Sequence, residues 1–64
     1  MAKIKRTLEE LVDSIEREAA TTKPHGYRQK VYHAFGQYWL VTYMASGRPK
    51  KLEHVDADGN PIRL

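Results

Sequence analysis

Two periodicities divide the chain. Ile4, Leu8, Leu11, Val12, Ile15 and Ala19 recur mostly at steps of three and four, which stacks them on one face of a 3.6-residue helix. From Tyr27 onward the pattern becomes alternation, centred on Gln37-Tyr38-Trp39-Leu40-Val41-Thr42-Tyr43-Met44, a run rich in aromatic and β-branched residues with a Gly-containing turn signal on each side. Thr7 followed by Glu10 fits a capping box, and Glu9 and Glu10 then occupy the first turn, where the helix dipole favours negative charge. The helix is expected over about residues 7–20. Thr21-Thr22-Lys23-Pro24-His25-Gly26 ends it and reads as a linker, because Pro24 cannot continue a helix and Gly26 allows a positive φ.

Strands are expected at about 27–34, 38–45 and 50–55, with turns around Phe35-Gly36-Gln37 and Ser46-Gly47-Arg48-Pro49. Asp56-Ala57-Asp58-Gly59-Asn60-Pro61 is a further turn cluster, after which Ile62-Arg63-Leu64 is the candidate for a short fourth, C-terminal strand. The fold class is therefore α+β: one N-terminal amphipathic helix packed on a three-stranded antiparallel meander, forming a single domain over residues 1–64.

A two-residue first hairpin pairs odd positions of the first strand with even positions of the second, since side chains alternate with period two. The first face then collects Tyr27, Gln29, Val31, His33, Tyr38, Leu40, Thr42, Met44, Lys51, Glu53 and Val55. The second collects Arg28, Lys30, Tyr32, Trp39, Val41, Tyr43, Lys50, Leu52 and His54. One helix covers one face. It is expected on the first, where Val31, Leu40, Met44 and Val55 can meet Leu8, Leu11, Val12 and Ile15 with few charges to desolvate. That leaves an exposed aromatic and basic second face, the kind of uncovered patch that marks an interaction site.

Composition sharpens the picture in two ways. With 64 residues the domain is small and marginal, burying only about 60% of the surface its unfolded chain exposes, and no Cys is present to form disulfides or thiolate metal sites. Absence of Cys, together with a basic start followed by Thr-Leu-Glu-Glu instead of an apolar run, points to a cytoplasmic protein without a signal peptide or membrane span. Charge is segregated: −4 over residues 7–20 against +6 over residues 21–52, within a net charge of +3. Opposite fields on helix and sheet matter for partner choice even when the total is small.

Nucleic acid, with DNA favoured over RNA, is the leading expected partner. Lys and Arg neutralise phosphates while Trp and Tyr stack on bases. The candidate binding residues are Arg28, Lys30, Tyr32, Trp39, Tyr43, Arg48, Lys50 and Lys51. The run from Arg28 through Gly36-x-x-Trp39, Gly47-Arg48 and Lys50-Lys51-Leu52 resembles the three-stranded sheets of integrase arm-binding domains, which implies strands reading a DNA groove through Arg28, Lys30, Trp39 and Lys50. Those domains place their helix after the sheet, whereas here it comes before. The alternative is a protein-interaction module, a small inhibitor, adaptor or homodimer, anchored by Trp39, Tyr43, Tyr32 and Arg28, since Trp, Tyr and Arg dominate such interfaces.

Other chemistry finds little footing. No carboxylate is close in sequence to His25 or His33, His33 and His54 sort to opposite faces, Ser14 and Ser46 have no visible base, and so short a chain leaves little scaffold for a small-molecule pocket; no catalytic activity, substrate or cofactor is expected. Asp56-Ala57-Asp58-Gly59-Asn60 imitates the start of a calcium loop, but Gly59 is fourth where the glycine should be sixth, and no twelfth-position Glu follows. No metal site is expected.

Overall fold

The computed structural model describes residues 7–62. Helix α1, Leu8–Glu18, begins at the expected capping box: the Thr7 hydroxyl accepts from the Glu10 amide at 3.2 Å and the Glu10 carboxylate accepts from the Thr7 amide at 2.9 Å. It ends at Ala19, which is extended (φ −65°, ψ 126°), and Ala20 N–H already donates to His33 O at 2.8 Å. The helix thus hands the chain straight to a sheet.

That handover corrects the linker reading. Thr21–Pro24 is strand β1, antiparallel to β2, Gln29–Ala34. Two β-branched threonines favour extended backbone, and on an edge strand Pro24 need not supply a ladder N–H. All four residues are exposed, so no hydrophobic alternation announces the strand. Strands β3, Gln37–Tyr43, and β4, Pro49–Val55, complete a four-stranded antiparallel sheet in the order β1-β2-β3-β4. Phe35 and Gly36, with φ of 55° and 73°, form the two-residue turn that pairs Ala34 with Gln37, as in primed hairpins. Odd–even pairing follows: His33 faces Tyr38, Val31 faces Leu40, and across the next ladder Leu40 faces Glu53. A register shift between Thr42 and Tyr43 sets Tyr43 opposite Pro49. Tyr27 and Arg28, expected in the first strand, belong instead to the β1–β2 connection, where Arg28 has φ 55°. At the C-terminal edge Val55 bridges to Pro61 and Ile62 N–H reaches His54 O at 3.4 Å; Arg63 and Leu64 lie outside the described residues. Ile4, at the start of the expected stripe, also lies outside them.

Within the paired strands the sorting of side chains into two faces holds, while Tyr27, Arg28 and Met44 lie outside the strands and Lys50 falls at the register shift; the helix lies on the other face. Val12 and Ile15 pack with Tyr32, Ala34 and Val41, all buried, and Leu8, Ala19, Trp39, Tyr43 and Leu52 surround them. The charges on this face did not prevent its burial, because Arg28, Lys30 and Lys50 stand at one end of the sheet and remain exposed; long basic side chains keep their heads in water while their neighbours are covered. The aromatic face also offers the larger apolar area, with Ala34 making room for the helix. Leu11, expected inward, lies on the helix flank and is 37% exposed; Met44, expected in the core, is 42% exposed.

The first face carries a smaller cluster of Val31, Leu40 and Val55 with Tyr38 against it. His33 stacks on Tyr38, ring centroids 4.4 Å apart. Buried Gly59, φ 89°, sits against His25: a Cβ there would lie 2.5 Å from the imidazole Cε1. Since His25 follows the first strand of the sheet and Gly59 follows the last, this contact links the segments that leave its two outer strands.

Candidate functional site

The β1–β2 and β3–β4 connections meet at one end of the sheet. Tyr43 N–H donates to Arg28 O at 2.8 Å, tying one connection to the strand that leads into the other, and Met44 N–H donates to Arg48 O at 2.7 Å to close the β3–β4 turn. Because both connections carry basic residues, this end gathers Arg28, Lys30, Arg48, Lys50 and Lys51. Tyr27 projects beside them, 81% exposed, and the Arg28 guanidinium lies 4.8 Å over its ring, a cation–π contact that orients the charge.

Between this end and the helix runs an open groove of about 430 Å³ lined by Glu16, Arg28, Gln29, Lys30, Tyr43 and Gly47. Its acidic wall is held firmly. Tyr43 O–H donates to Glu16 Oε2 at 2.5 Å, the Tyr32 and Tyr43 oxygens are 2.6 Å apart, and Tyr32 O–H approaches the same Oε2 at 3.4 Å. Burial, and then the bonds to Glu16 and Tyr32, push the Tyr43 phenol far above its ordinary range. Burial likewise raises Tyr32, although its bond to Tyr43 acts in the opposite direction. Both phenols therefore stay neutral and keep their protons at physiological pH. The Gln29 amide donates to Thr42 Oγ1 at 3.0 Å, a cross-strand bond between β2 and β3.

The expected site residues thus divide. Arg28, Lys30 and Tyr43 come together in the groove, with Tyr32 beneath it at only 5% exposure. Arg48 is bound to the helix, its Nε and Nη2 both 2.6 Å from Glu9 Oε2, while Lys51 stands 3.6 Å from Glu53. Lys50 is exposed on β4. Trp39 packs toward the helix, its indole N–H donating to Ala34 O at 3.0 Å and its ring centroid 5.1 Å from that of His54. With the helix in place Tyr32 is buried and Trp39 partly buried, which corrects the expectation of an exposed aromatic face. Among the described residues no carboxylate lies within salt-bridge distance of Arg28, Lys30 or Lys50.

Neither Glu16 nor the exposed Tyr27 is among the residues the sequence pattern singles out. Glu16 follows Ile15 on an amphipathic helix and reads as a solvated acid until the helix is placed over the phenols. Tyr27 reads as a strand residue by alternation, but it lies in the β1–β2 connection.

A second open groove, about 330 Å³, lies at the other end against Ser14, Arg17, Glu18 and the exposed Phe35. Among the described residues no cluster of three or more His, Asp or Glu is placed to hold a metal ion, and no helix is long and apolar enough to cross a membrane. No protein-family model, curated protein or solved structure matches the chain.

Proposed function

We propose that this is a non-enzymatic, cytoplasmic nucleic-acid-binding protein, with DNA favoured over RNA, that engages its ligand with the basic end of the sheet. The observation that carries the reading is the placement of Arg28 and Lys30 on one groove with Lys50 at the same end of the sheet, none ion-paired among the described residues, and with an exposed Tyr27 next to Arg28. Cations of this kind neutralise phosphates, and an outward tyrosine ring can stack on a base. Arg48 and Lys51 add to the field from their partly solvated ion pairs.

Fluorescence anisotropy of labelled DNA across a salt series tests it. Three phosphate contacts correspond to a slope of log affinity against log salt of about −2 to −3. Arg28→Ala with Lys30→Ala should flatten that slope and leave the circular dichroism unchanged. Binding that ignores both salt and the double change would overturn the reading.

A protein partner is the second reading, favoured by Tyr27 and the partly exposed Met44, apolar surface at the same end that phosphate contact alone does not use. The occupant would be an acidic protein surface or a second copy of the chain. A concentration-dependent dimer in analytical ultracentrifugation, with no salt-sensitive DNA binding, would favour it.

A further inference from the structure

The groove beside Glu16 combines features that phosphate binding alone does not call for. One wall is cationic, through Arg28 and Lys30; the other presents a carboxylate locked by two phenols. All the hydrogen bonds that Glu16 accepts among the described residues go to Oε2, so Oε1 keeps its accepting capacity. The Tyr43 and Tyr32 protons are engaged at Oε2 and within the phenol pair, so the acidic wall offers an acceptor and no spare donor. Gly47 brings no side chain to the rim, and Arg28 holds a left-handed backbone (φ 55°) that places its guanidinium over Tyr27.

We infer that this groove is a subsite for one unpaired nucleotide of single-stranded DNA, selective for a base bearing an exocyclic amine. Arg28 and Lys30 hold the phosphate, and Glu16 Oε1 accepts a hydrogen bond from the amine, the chemistry by which a carboxylate reads cytosine N4. Thymine turns a carbonyl to the same position and is repelled by the carboxylate. A single available oxygen suits a single amine better than the paired donors of guanine, which need both carboxylate oxygens. The base must leave a helical stack to enter a cleft between α1 and the sheet, hence the preference for a single strand, and the exposed Tyr27 ring lies close by for a neighbouring base. At about 430 Å³ the space falls within the usual range for small-ligand sites. This assignment rests on the nucleic-acid reading above and adds a base preference to it.

The test compares labelled deoxycytidine and thymidine homopolymers at low salt, with wild type and Glu16→Gln. Cytosine and thymine are of similar size, so the comparison isolates amine against carbonyl. Wild type should bind the cytidine polymer more tightly by roughly ten-fold, the scale of a hydrogen bond to a charged group. Glu16→Gln can still accept from Tyr43 and places an amide N–H₂ where the second oxygen stood, so the preference should vanish or reverse. Equal affinities in wild type, or a preference that survives the substitution, would overturn the inference while leaving salt-sensitive binding intact. Absence of salt-sensitive binding to either polymer would remove the nucleic-acid reading and the inference together. Should Glu16→Gln unfold, amide shifts of the unaltered protein decide: deoxycytidine monophosphate should move Gln29, Lys30, Tyr43 and Gly47, and equal effects from thymidine monophosphate would refute the assignment.

Discussion

The two faces of this sheet solve burial differently. The second carries large aromatic side chains and receives the helix, so Val12 and Ile15 complete a core with Tyr32, Ala34 and Val41. The first buries a smaller cluster of Val31, Leu40 and Val55, while the segments leaving the outer strands meet where Gly59 rests on His25. Polar groups on the covered face are no obstacle when they can be satisfied: the phenols bond each other and Glu16, and the indole N–H finds Ala34 O. Counting charges on a face therefore misjudges which face a helix will cover. Where along the strands those charges stand matters more, since cations at the end of a sheet need not be desolvated.

Removing a helix contact should cost most. Ile15→Ala should destabilise by about 2–5 kcal/mol in denaturant unfolding, because Ile15 is almost fully buried over the aromatic face. The Gly59–His25 contact ranks next. Gly59→Ala combines a positive φ with a methyl group driven into His25, and a loss of about 1–3 kcal/mol is expected; His25→Ala in the same chain should recover the steric part but not the backbone part. If Gly59→Ala proves neutral, the Gly59–His25 contact is not the tight one described.

Smaller effects probe the groove. Tyr43→Phe leaves Glu16 without its shortest bond and should cost about 0.5–1.5 kcal/mol. The same network sets a pH dependence. The folded phenols hold their protons above the ordinary tyrosine value of 10.0, so their contribution is complete below about pH 10 and declines as pH rises further, because the unfolded chain releases those protons first. Thermal melts above pH 10 should show a decline that Tyr43→Phe makes shallower. Least of all, Arg48→Ala should change stability by no more than about 1 kcal/mol, as its pair with Glu9 is largely solvated.

Much of this architecture was legible before any coordinates. Thr7 and Glu10 mark the helix start, Phe35-Gly36 marks the hairpin, and period-two alternation sorts Val31 and Leu40 from Tyr32 and Val41. Strand β1 was not legible because none of its residues is buried, and a strand that exposes every side chain leaves no alternation to read. The helix's choice of face was hidden for a different reason. Both faces are apolar enough to be covered, and the partners that satisfy the polar groups on the covered one, Glu16 with the two tyrosines, are 16 and 27 residues apart in the chain. The candidate site was half visible: its cations could be found by composition, but the carboxylate opposite them could not.

Placement of the ligand at the end of the sheet, and not on its face, is most directly tested by mapping amide shifts as single-stranded DNA is added at low salt. Shifts concentrated at Tyr27, Arg28, Lys30, Gly47, Arg48 and Lys50 are the predicted result. Shifts centred on His33, Tyr38, Leu40 and Glu53 would put the ligand on the first face and contradict the account.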